Sequence, residues 1–244
     1  MNRSPPSPAE DSALRYSAYA ASGTLFIAFA GLQLWRRVPR FEWQNTLEAQ
    51  PANRLYVRDL AQYYYLRGLA GLAGDIGRSA DRLRARLDPH GYARLVCFGA
   101  SMGGFAALLY GALLGADEVH AFSPVCYLPS RSLLQVATQI RTGNWRLIAK
   151  HIELRLDRAA DHRRYFRARP HLQADNGRTR YFVYYGRHAP DVRNSGSLAG
   201  LPRVTLLPHD YPHHNLVGHL KNNGQLAPIV SGALTHPPSP VADS

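Results

Sequence analysis

Short apolar runs alternate with longer helix-like segments along most of the chain. The apolar runs have the length of β-strands and fall at residues 24–30, 54–58, 93–98, 118–122, 180–185 and 204–207. They lack the regular polar alternation of a strand with one solvated face, so both faces are expected to be buried. Strands of this kind, separated by helices, predict an α/β fold with a doubly wound, mostly parallel sheet.

Helical patterns occupy several of the intervals between these strands. Residues 60–87 are predicted to be helical with a glycine break near residues 71–77, and Asp59 is expected either to cap this helix or to line a cleft. Further helices are predicted to begin at Met102 and near His214. The apolar run at 23–34 is too short to span a bilayer, so we interpret it as a buried strand with the loop that follows it.

One interval interrupts the alternation of strands and helices. From residue 127 to residue 179, about fifty residues pass without a clear strand. Apolar side chains recur there at helical spacing, in one stripe at Trp145, Ile148, Ile152 and Leu156 and in a shorter one at Leu133, Val136 and Ile140. An all-helical insertion between two strands is typical of a lid, which is predicted over about residues 127–178.

The length of 244 residues suits a single domain with a substantial core, predicted over residues 13–234. The two ends, 1–12 and 235–244, are rich in proline and small polar residues and are predicted to be disordered. The two cysteines, Cys97 and Cys126, offer no disulfide framework. Together with the lack of a signal-peptide pattern, they predict a cytoplasmic protein without an integral membrane segment.

Positive charge is concentrated in the predicted insertion. The whole chain has 29 Lys and Arg against 17 Asp and Glu, a formal net charge of +12. Residues 131–180 alone hold twelve basic and four acidic side chains. Such a concentration attracts an anionic substrate, a nucleic acid or a membrane surface, or it is simply an arginine-rich solvated surface. No nucleic-acid-binding motif accompanies the charge, so a nucleic-acid partner is not predicted.

The most informative motif is Gly99-Ala100-Ser101-Met102-Gly103, which lies between a predicted strand and a predicted helix. Gly-x-Ser-x-Gly at such a junction is the pattern of a nucleophile elbow, a tight turn that holds the serine hydroxyl exposed. Glycines are needed on both sides because a Cβ there would collide with the neighbouring strand or helix. The alternative interpretation is a plain glycine-rich turn.

A serine hydroxyl needs a general base, and the base needs an orienting carboxylate. In chains built around this elbow the three residues follow the order Ser, Asp or Glu, His. Asp191 follows the predicted strand 180–185 and His214 follows 204–207, so both are expected at the same edge of the sheet as the elbow. His213 is the alternative base, with His209 a more distant one, and Asp210 is the alternative acid.

Two backbone N–H groups are expected to stabilise the oxyanion that forms when such a serine attacks a carbonyl. One is that of Met102, which directly follows Ser101 and begins a helix. The other is expected after the first core strand, at Gly31 or Leu32, although an ordinary strand-ending turn is an equal alternative.

The histidine-rich loop at residues 209–214 also contains imidazole and carboxylate groups that suit zinc or iron. No further ligands at suitable spacing accompany it, so no metal ion is predicted. The glycines of residues 99–104 lack the spacing and the lysine of a phosphate-cradling loop, and no dinucleotide-binding fingerprint is present. No cofactor is therefore predicted.

These motifs give the chain a resemblance to the α/β-hydrolase superfamily over roughly residues 20–230. More narrowly, three segments resemble small bacterial hydrolases encoded beside surface-polysaccharide glycosyltransferases: Val57-Arg58-Asp59, Ala121-Phe122-Ser123-Pro124, and residues 214–217 followed by 220–226. The resemblance implies the α/β-hydrolase fold, with Ser101 as nucleophile, Asp191 as acid and His214 as base. The brief N-terminal portion leaves little room for the first antiparallel strands of larger members.

The leading hypothesis is a serine hydrolase that cleaves an ester or thioester through an acyl-enzyme, with an acylated sugar or an anionic ester as substrate. Acyl transfer to a sugar or other acceptor is a close variant. The alternative from another class is a non-catalytic, hydrolase-like scaffold that binds a glycosyltransferase. Loss of a triad residue would favour the scaffold, but candidates for all three are present.

Overall fold

The computed structural model describes residues 12–128, 145–175 and 177–235. Within these residues, seven strands form one sheet in the order β1-β3-β2-β4-β5-β6-β7. Strand β1 pairs antiparallel with β3, and every other pair is parallel. The strands are β1 (Leu14–Ser17), β2 (Thr24–Phe29), β3 (Asn53–Val57), β4 (Arg94–Ala100), β5 (Glu118–Phe122), β6 (Arg180–Tyr185) and β7 (Val204–Pro208).

Helices cover both faces of this sheet, because both faces of its central strands are apolar. In β2, Leu25, Ile27 and Phe29 pack into the core on one face, and Phe26 and Ala28 into the core on the other. The α/β prediction of a doubly wound, mostly parallel sheet is therefore confirmed. The helices are α1 (Gln44–Leu47), α2 (Ile76–Leu87), α3 (Met102–Leu114), α4 (Trp145–Leu156), α5 (Ala160–Arg163), α6 (Arg169–Gln173), α7 (Ala189–Gly196), α8 (Leu216–Asn222) and α9 (Leu226–Thr235).

The predicted helix over residues 60–87 is wrong for its first half, since α2 begins only at Ile76. The segment before it is a series of turns around the buried carboxylate of Asp59, which accepts the N–H groups of Ala61, Tyr63 and Tyr65. Asp59 therefore holds a turn and does not cap a helix. Burial raises its pKa, although these hydrogen bonds act in the opposite direction.

Among the described residues between β5 and β6, where the helical insertion is predicted, three helices are present, α4, α5 and α6. Helix α4 buries Ile148, His151 and Leu154. The predicted helical stripe lies along this helix, where Ile148 is buried and its other members are exposed, namely Trp145, Ile152 and Leu156. The shorter stripe at 133–140 lies outside the described residues, as do almost all of the two predicted disordered ends.

Both cysteine thiols are buried and free, and burial raises the pKa of each. In the part of the chain that the structure describes, no helix combines the length and the apolar character needed to cross a membrane.

Candidate active site

The turn between β4 and α3 has the geometry of a nucleophile elbow. Ser101 has a φ of 54°, a left-handed conformation that is strained for any residue with a Cβ. A Cβ on Gly99 would lie 2.0 Å from the carbonyl oxygen of Gly103, and one on Gly103 would lie 2.2 Å from that of Phe29. Neither position can hold a larger residue, which is why this tight turn requires glycine on both sides of the serine.

Ser101, His214 and Asp191 are joined by two hydrogen bonds. Nε2 of His214 is 2.9 Å from Oγ of Ser101, and Nδ1 of the same ring is 2.8 Å from Oδ1 of Asp191. Asp191 is buried in the first turn of α7, which follows β6. His214 lies just before α8, whose N-terminus is capped by the side chain of Asn215. The structure thus brings together the three residues singled out in the sequence, with Asp191 in a helix where a loop is expected.

The alternative base and acid residues of the same loop contact other side chains. The exposed ring of His213 packs edge-on against Tyr211, and the exposed carboxylate of Asp210 forms an ion pair of 2.7 Å with Arg187. The ring of His209 lies against that of Tyr184, and burial lowers its pKa. Among the described residues, His214 alone connects Ser101 to a carboxylate.

His188 is a site residue that the sequence analysis does not single out. Its Nδ1 is 3.2 Å from Oδ1 of Asp191, so two imidazoles share one carboxylate oxygen. The spacing of three residues between His188 and Asp191 is the signal that could have identified it, because such residues face each other on a helix. The ligand atoms of His188, Asp191 and His214 lie within 4.8 Å of one another and could together hold a metal ion. In this structure, both imidazoles are hydrogen-bonded to Oδ1 of Asp191.

The half-buried carboxylate of Glu42 contacts the loop in which the second oxyanion donor is predicted. Its Oε2 accepts the N–H of Gly31 at 2.9 Å, and its Oε1 accepts the side-chain amide of Gln33 at 3.0 Å. Burial raises the pKa of Glu42, while these two hydrogen bonds lower it. Because the N–H of Gly31 already donates to Glu42, it is not free to bind an oxyanion, which argues against Gly31 as the oxyanion donor. Leu32, between the two bonded residues, has an N–H without a hydrogen-bond partner among the described residues.

Two cavities meet at Ser101, and both are lined by Leu32, Trp35 and His214. The first, called here the apolar cavity, has a volume of about 310 Å³ and is walled mainly by Leu34, Pro124, Val125, Leu147 and Pro190. The second, called the polar cleft, has a volume of about 690 Å³ and is lined by Arg40, Gln44, Asn45 and Lys221 among others. Helix α4 contributes Arg146, Leu147 and His151 to the apolar cavity.

The chain matches no known protein family by sequence profile and no curated protein by sequence search. Its fold is similar to that of MGS-MChE2, an α/β hydrolase from a sediment metagenome of the Mar Chica lagoon, with a TM-score of 0.51, 16% identity, and 87% of this chain and 92% of that one covered. The chain has the α/β-hydrolase fold. A capsule O-acetyltransferase of Neisseria meningitidis serogroup A has a TM-score of 0.60 at 12% identity, with 87% and 90% of the two chains covered.

A further similar structure is the glycosylation-associated protein Gap123 complex from Streptococcus agalactiae. The TM-score is 0.62 at 16% identity over 86% of this chain, which spans only 42% of the length of that one. A mutant of the capsule O-acetyltransferase has been solved in complex with CoA. Identities this low support a common fold and leave the chemistry to be argued from the site.

Proposed function

We propose that this protein is a serine hydrolase that cleaves carboxylic esters or thioesters through an acyl-enzyme on Ser101. The observation that carries this proposal is the hydrogen-bonded sequence from Oγ of Ser101 through the His214 ring to Oδ1 of Asp191, with links of 2.9 and 2.8 Å. These distances are within the range that general-base catalysis requires.

In the proposed reaction, Oγ of Ser101 attacks the carbonyl carbon while Nε2 of His214 takes the hydroxyl proton. Asp191 holds the ring and stabilises the imidazolium that forms. The negative charge on the carbonyl oxygen is stabilised by the N–H groups of Met102, at the start of α3, and Leu32. His214 then gives its proton to the leaving group, and water attacks the acyl-enzyme by the same route to release the acid and restore Ser101.

The two cavities give each half of the substrate a place. The apolar walls suit the acyl group, because removing apolar surface from water favours binding. The larger polar cleft suits a hydroxyl-bearing leaving group such as a sugar, and Arg40 and Lys221 favour one with negative charge. Helix α4 is then the part of the predicted lid that covers the acyl side.

Acyl transfer to an alcohol acceptor is the second candidate. The similarity to a capsule O-acetyltransferase, and the polar cleft that is wide enough for an acceptor beside Ser101, support it. Hydrolysis and transfer share every step up to the acyl-enzyme and differ only in whether water or a hydroxyl group attacks it.

A non-catalytic scaffold is not favoured, because a scaffold needs neither a strained serine nor a hydrogen-bonded carboxylate–imidazole pair behind it. The similarity to the Gap123 complex supports a separate prediction, which is that this protein associates with a glycosyltransferase. It is tested by co-purification and does not depend on the catalytic proposal.

Turnover of a panel of p-nitrophenyl esters and O-acetylated sugars, neutral and anionic, tests the proposal. Ser101→Ala and His214→Ala should each lower kcat/KM by about 10⁴-fold or more, because the residues of a triad act as a unit. The matched controls are His213→Ala and Asp210→Asn, two neighbours in the same loop that should leave kcat/KM within about twofold of wild type. Equal losses in control and site variants would contradict the assignment of His214, and added sugar acceptors that divert the acyl group would identify transfer.

A further inference from the structure

The arginines of the insertion surround a pocket of their own. This arginine pocket has a volume of about 410 Å³ and is lined by five arginines and one acid, namely Arg155, Arg158, Arg163, Arg164, Arg167 and Asp157. Apolar contacts from Leu154 and Phe166 complete its wall. None of these residues lines either cavity at Ser101. Five of the twelve basic residues between 131 and 180 thus surround a pocket separate from the cavities at Ser101.

Asp157, the one acidic residue in the lining, is hydrogen-bonded to groups other than the arginines of the pocket. The Asp157 carboxylate accepts hydrogen bonds from the N–H of Ala159 at 2.9 Å, from the hydroxyl of Tyr63 at 2.8 Å and from His162 at 2.7 Å. Burial raises the pKa of Asp157, but these hydrogen bonds outweigh burial and hold it below the ordinary value of 3.8. These hydrogen bonds give Asp157 a structural role. Among the described residues, it forms no ion pair with an arginine of the pocket.

Three of these arginines have no acidic partner within the described residues. Arg158, Arg163 and Arg167 form no ion pair with any residue that the structure describes. Arg164 lies 3.6 Å from Asp75, a long ion pair, and its guanidinium packs over the ring of Tyr165. The sequence of residues 129–144 adds two arginines and no acidic residue. Like charges crowded around one concave surface repel each other, so an anionic ligand would stabilise this arrangement.

We propose that the arginine pocket binds a compact ligand that carries two or more phosphate groups. Guanidinium groups present a planar fork of donors that matches phosphate oxygens in pairs. Phosphate groups place more negative charge in a given volume than carboxylates do, and the pocket offers at least three uncompensated cations within about 410 Å³. The concave shape suits a small ligand better than a flat membrane surface. The proposal is independent of the chemistry at Ser101.

Isothermal titration calorimetry of the full chain with inorganic tripolyphosphate tests the proposal, with inorganic phosphate as the comparison that carries a single phosphate group. Wild type should bind tripolyphosphate at one site and more tightly than phosphate. The variant R158Q/R163Q/R167Q should bind it about tenfold more weakly or worse, because charge-assisted hydrogen bonds are lost. The matched control R15Q/R37Q/R86Q removes the same charge from exposed arginines outside the pocket and should keep the affinity within about twofold.

Three outcomes would overturn the proposal. They are no binding of tripolyphosphate by wild type, equal weakening in the two triple variants, and binding of anionic phosphatidylglycerol vesicles without binding of tripolyphosphate. Circular dichroism and the melting temperature establish whether the triple variants are folded. If the pocket variant is not, the single variants Arg158→Gln and Arg163→Gln, both at exposed positions, provide the same comparison with Arg86→Gln as control.

Discussion

Two of the carboxylate–imidazole pairs among the described residues lie on the sheet, one at the carboxyl ends of the parallel strands (the carboxyl edge) and one towards their amino ends (the amino edge), and they have opposite surroundings. At the carboxyl edge, Asp191 holds His214, whose other nitrogen reaches Ser101 where two cavities meet. At the amino edge, Glu118 is 3.2 Å from His120, whose other nitrogen is 3.1 Å from the hydroxyl of Tyr184. The second pair is buried, and His120 is stacked between two phenylalanine rings in neighbouring strands.

A hydrogen-bonded carboxylate–imidazole pair is therefore not by itself the signature of a reactive site. Glu118 also forms ion pairs with Arg94, at 3.1 Å, and with Arg180, so its charge is held by fixed partners inside the fold. The side chain of His214 is 44% exposed and lies beside Ser101, where two cavities meet. Access to a cavity and a strained serine distinguish the catalytic proposal from a structural role.

The largest expected contrast is between the two histidines. His214→Ala should lower kcat/KM by about 10⁴-fold or more while leaving the free energy of unfolding within about 1 kcal/mol of wild type, because the ring is half exposed. His120→Ala should lower the free energy of unfolding by about 2 kcal/mol or more, since it opens a cavity and leaves Tyr184 without its partner, while Ser101 stays reactive. Urea unfolding and ester turnover on both variants measure the contrast. Similar effects of the two substitutions on stability and on turnover would contradict the different roles assigned to the two histidines.

The next effect concerns the amino edge alone. Burial raises the pKa of Glu118, but His120, Arg94 and Arg180 outweigh burial and hold it below its ordinary value of 4.5. Glu118→Gln should destabilise the fold by about 3–5 kcal/mol at pH 7, because it leaves Arg94 and Arg180 without their counter-charge.

The pH dependence of this loss has a definite sign. A carboxylate with a lowered pKa stabilises the fold above its unfolded pKa and loses that contribution as the pH falls through the folded one. The difference between wild type and Glu118→Gln should therefore shrink as the pH falls below about 4.5. Urea titrations at a series of pH values measure it, and a difference that is constant with pH would argue against the ionised pair.

A smaller effect is expected at the loop beside Ser101. Glu42→Gln replaces one acceptor by a donor that faces either Gly31 or Gln33, so the N–H of Leu32 loses its fixed direction. We expect kcat to fall by about tenfold with KM nearly unchanged, because an oxyanion donor acts mainly in the transition state. Glu48→Gln, at a nearby exposed position, is the matched control. A change in KM alone would instead assign Glu42 to substrate binding.

The sequence predicts those parts of the molecule that depend on local pattern. Strands β5 and β6 agree with prediction to the residue because each is a short, mainly apolar segment rich in β-branched or aromatic residues. The elbow is predictable because tight backbone approach permits only glycine at residues 99 and 103. The proximity of Ser101, Asp191 and His214 follows because the chain segments after parallel strands begin at one edge of the sheet.

Other features depend on contacts between distant residues, which local pattern does not contain. Residues 60–75 have apolar positions that bury side chains, yet the Asp59 carboxylate draws their N–H groups into turns. Strand β1 is four residues long and exists through its pairing with β3. Glu42 gives no signal in the sequence, because its partners are amides of a loop 9 to 11 residues earlier.

The most direct test of the catalytic proposal is covalent labelling with a fluorophosphonate probe, followed by peptide mapping by mass spectrometry. One adduct is expected, on Oγ of Ser101, absent in Ser101→Ala, strongly slowed in His214→Ala and unchanged in His213→Ala. An unlabelled wild-type protein, or an adduct on another residue that persists in Ser101→Ala, would contradict the central claim that this hydroxyl is an activated nucleophile.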